Sequence, residues 1–223
     1  MTAGLGLASF GTFLIMANVL PDWCIPETPP QINIIPTTDE VEYDFNQDTH
    51  RLSQFDVRHS PYAPGVKTQI KGLHSGRIEL NSKFQANTFL NHRTDEVCIH
   101  YSQIDIYFHI DPKIYITREH LPGTCQHEVI HEHEMKHLMT DRELINEYSR
   151  KIGAAIDRDL YQYGYIWGPM PAEDQEATLK EMQASLKSVV DPFLDELKQE
   201  RHARQAAIDT IEEYERIRKA CAD

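Results

Sequence analysis

The sequence predicts an α+β fold: a small, mostly antiparallel sheet, then one long helix, then a helical hairpin at the C-terminus. Three observations predict it. Between residues 31 and 116, short runs alternate apolar and polar side chains and are broken by turn residues, as half-buried strands require. From Cys125 to about Leu160 the chain is free of proline, and Ile130, Leu138, Ile145, Tyr148 and Ile152 recur at helical spacing. Beyond an aromatic, proline-containing stretch, two more apolar stripes at helical spacing follow.

The elements follow in chain order. Leu5 to Leu20 carries no charge, the length of a signal-peptide core or a short membrane span, so residues 1–21 are expected to be a signal or anchor. The usual basic lead is missing, since the first Lys or Arg is Arg51, and a buried N-terminal helix is the alternative. "CIPETPPQINIIP" is a proline-rich, extended lead-in. Strands are expected at QINII, at 40–45, 66–72, 76–86 and, the longest, 97–110. Asp111-Pro112 reads as a turn into a hairpin partner over 113–117. "LPGTC" breaks this pattern and offers Thr124 as the N-cap of the long helix. Two last helices are expected over about 174–190 and 192–220, separated at Asp191-Pro192, an N-cap followed by a first-turn proline. The domain organisation expected is a main domain over 22–170 with a helical hairpin over 171–223 docked on it.

A net charge of −13 excludes nucleic acid as a partner, because the chain has no means of neutralising a run of phosphates, and it repels an anionic membrane surface. Membrane contact is left to the N-terminal segment alone. The four cysteines, Cys24, Cys98, Cys125 and Cys221, form no C-x-x-C pair, so a zinc ribbon or a thioredoxin-like site gets no support. In an exported chain an even number suggests disulfides. Cys98–Cys125, pinning strand to helix, is the favoured pairing and Cys24–Cys221 the residual one, with buried free thiols as the alternative.

Chemistry concentrates in "CQHEVIHEHEMKH" (125–137), which holds two H-E-x-x-H matches, His127–His131 and His133–His137. Histidines four residues apart on a helix share a face, so both imidazoles can reach one ion. The Glu after the first His lies beside a metal-bound water and can take its proton. At about 100° per residue, the apolar stripe passes close to Glu134 and His137, which turns Glu134 toward the protein body, where a carboxylate needs a partner or a task. Glu128 and Glu132 point to solvent, while His127 and His131, also near the stripe, stay in play.

"CIHYSQIDIYFHIDPKIYITREHLPGTC" followed by "HEMKH" resembles a group of bacterial secreted zinc-dependent proteases. The likeness spans about residues 98–152 and rests on Cys98, "YIT", "GTC" at 123–125 and HEMKH. It implies a zincin-like fold, a zinc cofactor held by His133 and His137, Glu134 as general base, a Cys98–Cys125 bridge, and a peptide or protein substrate in the periplasm or outside the cell. HEVIH is then the accidental match. The third ligand stays open among Asp157, which lies about twenty residues beyond His137 as in some H-E-x-x-H enzymes, Asp141, Glu147, His127 and His109. The competing function is a non-catalytic, His-rich metal-binding or structural envelope protein.

Overall fold

A computed structural model of the chain describes residues 20–55 and 69–221. Most of the expected N-terminal signal or anchor, and the start of the strand expected over 66–72, lie outside the described residues. Numbered along the chain, the elements are β1 (Gln31–Thr38), β2 (Glu42–Asp44), α1 (Thr49–Leu52), β3 (Gly72–Asn91), β4 (Glu96–Ile116), α2 (Cys125–Tyr163), β5 (Ile166–Pro171), α3 (Gln175–Ile208) and α4 (Ile211–Lys219).

The sheet is organised around β4. On one side β3 runs antiparallel to it from Asn91↔Glu96 to Gly72↔Ile116. On the other side lie three short strands: β5 antiparallel against Glu96–His100, β1 parallel against Gln103–Ile110, and β2 parallel against Lys113–Tyr115. The sheet is therefore mixed, and the expectation of a mostly antiparallel sheet is corrected. Alternating polarity reports that a strand is half-buried, not which way its neighbour runs.

Asp111-Pro112 makes no hairpin, because β4 continues through it. The pairing of β1 ends at Ile110 and that of β2 begins at Lys113, so Pro112, which has no N–H to give, sits at the gap between them. The strand expected over 76–86 is part of the longer β3; of the one expected over 66–72, only Gly72 is in β3, residues 69–71 are not strand, and 66–68 lie outside the described residues.

α2 starts where Thr124 caps it, its hydroxyl accepting from the His127 N–H at 3.3 Å. Its buried face (Leu138, Leu144, Ile145, Tyr148, Ile152, Ile156) packs against Ile99, Ile104, Ile106, Phe108 and Ile110 of β4, and Met182, Leu186, Val190 and Leu197 of α3 join the same core. A smaller cluster gathers Ile114, Ile116, Ile130 and Ile217. The expected break at Asp191-Pro192 is absent. A proline inside a helix removes one backbone bond, but Val190 and Leu197, each 2% exposed, anchor α3 on both sides of it. The helical pair breaks instead at Asp209, whose ψ of 63° leaves the helix, and Thr210 caps α4 by accepting from the Glu213 N–H.

The cysteines pair as Cys24–Cys98 and Cys125–Cys221, with Cα atoms 5.4 and 5.9 Å apart. The favoured Cys98–Cys125 pairing is thus corrected. With β4 unbroken, Cys98 lies near its start and Cys125 beyond its end, separated by about 60 Å measured along the strand. No helix among the described residues is long and apolar enough to cross a membrane.

Candidate metal centre

His133 and His137 stand one turn apart on the inward face of α2, and Asp209 comes to them from the C-terminal end of α3. Asp209 Oδ1 lies 3.2 Å from His133 Nε2 and 3.2 Å from His137 Nε2, and the two nitrogens are 3.4 Å apart. Three donors bound tetrahedrally to one ion at about 2.0–2.1 Å stand about 3.3–3.4 Å from each other. The triangle therefore already has the edge lengths that a tetrahedral ion requires. Among the described residues this is the only group of three or more His, Cys, Asp or Glu side chains whose ligand atoms converge in this way.

The surroundings are polar and buried. His133 and His137 are 4% and 7% exposed. Burial pushes the Asp209 carboxyl up, but hydrogen bonds from His133 and His137 outweigh it and hold Asp209 well below the usual carboxylate range. Burial pulls His137 down, and the Asp209 hydrogen bond with the nearby Glu134 charge reverses this, leaving it raised. Tyr214 Oη donates to Asp209 Oδ1 at 3.0 Å. Glu213 faces His133 Nδ1 at 3.4 Å and accepts from Lys136 Nζ at 2.7 Å. Hydrogen bonds from Arg216 and Lys136 keep Glu213 ionised to low pH.

Glu134, also 4% exposed, turns from this triangle toward β3. Its carboxylate accepts from the His74 backbone N–H, and burial raises its pKa against the pull of His133 and His137. β3 is carved to admit these groups. A Cβ at Gly72 would overlap Glu134 Oε1 and Ile130, and one at Gly76 would lie 2.6 Å from His74 Cε1 and 2.7 Å from Asp141 Oδ2. Gly72, His74 and Gly76 share one face of the strand at alternate positions. The His74 ring lies parallel to that of His137, centroids 6.2 Å apart, and its Nε2 is buried without a hydrogen-bond partner. Burial lowers its pKa to about 4, so His74 is neutral at pH 7.

The other sequence candidates lie elsewhere. His127 packs edge-on to Phe45 and bonds through Nδ1 to the His120 carbonyl at 3.0 Å, while His131 pairs with Tyr43 Oη at 3.1 Å. Among the described residues, no carboxylate joins these two histidines in a three-member group. Asp157 is exposed on the same unbroken α2, about 30 Å along it from His137 at 1.5 Å per residue. Glu147 is bound by Arg204 at 2.8 Å and Lys151 at 3.0 Å. His109 sits on β4 between Thr37 and Asp39. Asp141 is fully buried but spent on Arg201, both contacts at 2.7 Å. Sequence reasoning missed Asp209, 72 residues beyond His137, because the last helix was expected to run through it. A signal existed: Thr210-x-x-Glu213 is a capping box, which places a helix start at Thr210 and exposes the preceding Asp as a terminal group.

No family model matches the chain, and neither a curated protein nor a solved structure matches it.

Proposed function

We propose that this protein is an exported zinc metallopeptidase in which His133, His137 and Asp209 hold the ion and Glu134 is the general base. The observation that carries the reading is the His133–His137–Asp209 triangle with tetrahedral edge lengths, its two histidines on the same helix as the Glu that an H-E-x-x-H mechanism needs. Two imidazoles and a carboxylate are a donor set suited to catalytic zinc, with a fourth position left for water. Bound zinc would supply a water acidic near neutrality and polarise a scissile carbonyl.

Glu134 would take the proton from that water and later give it to the leaving amine. Its raised pKa suits both steps, since a base nearer neutrality holds a proton more readily and still releases it. The His74 N–H fixes the carboxylate, and the space left at Gly72 lets it lie against the strand. β4 is flanked on both sides by described strands and has no edge to give to an extended substrate. β3 pairs only with β4 among the described residues, so its far side is where a peptide would add as a further strand. Two disulfides support an oxidising compartment and hence export.

A second reading has its own observation. Structural zinc sites are closed, and the burial of His133, Glu134 and His137 would suit an ion that holds α2 to the C-terminal segment without turnover. One experiment separates the two. Purified protein is assayed for zinc content and for cleavage of denatured casein and a quenched-fluorescent peptide library, beside Glu134→Gln and Asp209→Ala. The peptidase reading expects one zinc per chain, lost in Asp209→Ala and kept in Glu134→Gln, with cleavage lost in both. Zinc without cleavage in the wild type leaves the structural reading, and no zinc in the wild type ends both.

A further inference from the structure

Two ladders of side chains face each other across the α2–α3 interface. On α2, His133, His137 and Asp141 follow at intervals of four; on α3, Arg201, Gln205 and Asp209 do the same in the opposite direction. The rungs mesh one by one. Asp209 meets His133 and His137, Gln205 meets His137 and Asp141, and Arg201 meets Asp141. Only the first rung belongs to the metal set.

We propose that Gln205 is a positioning residue that fixes the ring orientation and tautomer of His137, and that the Asp141–Arg201 pair sets the orientation of the Gln205 amide. The inference rests on the zinc reading above. Its logic is a count of hydrogens. Gln205 Nε2 donates to the His137 carbonyl at 3.0 Å and to Asp141 Oδ1 at 2.8 Å, which uses both of its hydrogens. Oε1, the remaining acceptor, faces His137 Nδ1, so Nδ1 carries a hydrogen and donates it. The Nε2 lone pair is then the one left for an ion beside Asp209. A flipped amide would set Oε1 against a carboxylate and a carbonyl, three acceptors together, so Asp141 decides which way round Gln205 lies.

Asp141 is itself fixed. It is fully buried, receives Arg201 Nε and Nη2 at 2.7 Å each, and Nη2 also donates to the Gly76 carbonyl at 2.7 Å. The chain of bonds thus runs from β3 through Arg201, Asp141 and Gln205 to His137, tying the metal ligand to the strand that also holds Glu134. Partners of this kind fix the ring orientation and raise the basicity of a ligating histidine.

The test compares zinc dissociation constants, by competition with a chromogenic chelator, in the wild type, Gln205→Leu, Gln205→Glu, and Asp141→Asn combined with Gln205→Glu. It adds the ¹⁵N-edited spectrum of the zinc-loaded proteins, where His137 should show a slowly exchanging Nδ1–H. Gln205→Leu keeps the side-chain volume and loses the acceptor. It should weaken zinc about 10- to 100-fold and lose the slow Nδ1–H. Gln205→Glu alone sets two carboxylates against each other and should also weaken binding. The double variant removes the facing carboxylates and keeps an acceptor for Nδ1–H, but leaves the His137 carbonyl against a carboxylate and Arg201 Nε against an amide N–H. It should therefore recover affinity only in part, to between Gln205→Glu and wild type. It is read in the same way if Gln205→Leu fails to fold. Wild-type zinc affinity in Gln205→Leu, no recovery in the double variant, or no slow Nδ1–H in the wild type would each overturn the proposal. Absence of zinc binding by the wild type would instead overturn the metal reading beneath it.

Discussion

Adding one methyl group at Gly72 tests whether β3 and the Glu134 carboxylate are fitted to each other. The new Cβ would overlap Glu134 Oε1 on one side and the Ile130 methyl on the other. Neither can step aside freely. Ile130 is 3% exposed within the small apolar cluster, and Glu134 is buried and tied to the His74 N–H. Either the end of β3 withdraws or the carboxylate moves, by on the order of 1 Å, and a displacement of that size at a reacting group costs about 100-fold in rate. Overpacking of a closed site costs about 1–3 kcal/mol, and for a chain of this length about 2 kcal/mol lowers Tm by roughly 4–8 °C. Gly72→Ala should therefore lose most peptide cleavage, melt several degrees lower by circular dichroism, and still hold one zinc, because neither histidine is touched. Gly123→Ala is the control. Gly123 has a φ of +84° with nothing within 4 Å of its Cβ position, so it should cost about 1 kcal/mol in backbone strain and leave cleavage intact. Equal cleavage by Gly72→Ala and the wild type would refute the idea that the strand positions Glu134.

Other substitutions probe the remaining elements. Asp209→Asn keeps the shape but removes the charged ligand, and should weaken zinc by more than about 100-fold in a chelator competition; unchanged affinity would place the third ligand elsewhere. His127→Ala should keep its zinc and cost about 1 kcal/mol through lost packing on Phe45, and zinc lost with this variant would assign the ion to the HEVIH pair. Pro192→Ala restores a backbone bond inside a continuous, solvent-facing stretch of α3 and should raise Tm by a few degrees, worth about 1–2 kcal/mol; a lowered Tm would mean that the helix starts at Pro192. Cys221→Ser unties the end of α4 from α2, and should speed zinc removal by a chelator about tenfold or more, as a ligand segment held by fewer constraints opens more often. An unchanged removal rate would show that α4 stays docked without the bridge.

What the sequence disclosed and what it hid divide along physical lines. The long helix, its Thr124 cap and the inward turn of Glu134 are local facts, set by a period of 3.6 residues and read without knowing what the helix packs against. Strand direction is not local. The alternation in QINII and in 40–45 is the same whether β4 runs with β1 and β2 or against them. Asp111-Pro112 looked like a turn because proline rarely suits a central strand, and the gap between two collinear partners that admits it exists only in the folded sheet. The cysteine pairing failed for the same reason: that Cys98 lies near one end of an unbroken β4 and Cys125 beyond the other is a fact of the folded sheet. Asp191-Pro192 carried the signature of a helix start and was overruled by the core contacts of Val190 and Leu197. The third member of the triangle hung on the last of these: only an unbroken α3, antiparallel to α2, carries Asp209 back to His133.

That dependence bears on how the site is made. α2 contributes two imidazoles and the Glu134 carboxylate, but the triangle closes only when the last residues of α3 lie against α2. α4, nine residues long, buries only Ile217, so its own apolar contact is small. Polar contacts supplement it, from Glu213 to Lys136 and His133 and from Arg216 to Glu132. The Cys125–Cys221 bridge anchors its far end at the first residue of α2, eight residues before His133. With both ends of the Asp209–Cys221 segment attached, at the α3 core and at the disulfide, Asp209 meets the histidines at the high effective concentration of a short tethered segment. An ion held by all three donors would make its binding and the docking of the C-terminal segment one linked equilibrium, in which each raises the stability of the other. The same closure that brings the three donors together also buries them, and the space that Gly72 and Gly76 leave on β3 is already filled by Glu134, Ile130, His74 and Asp141.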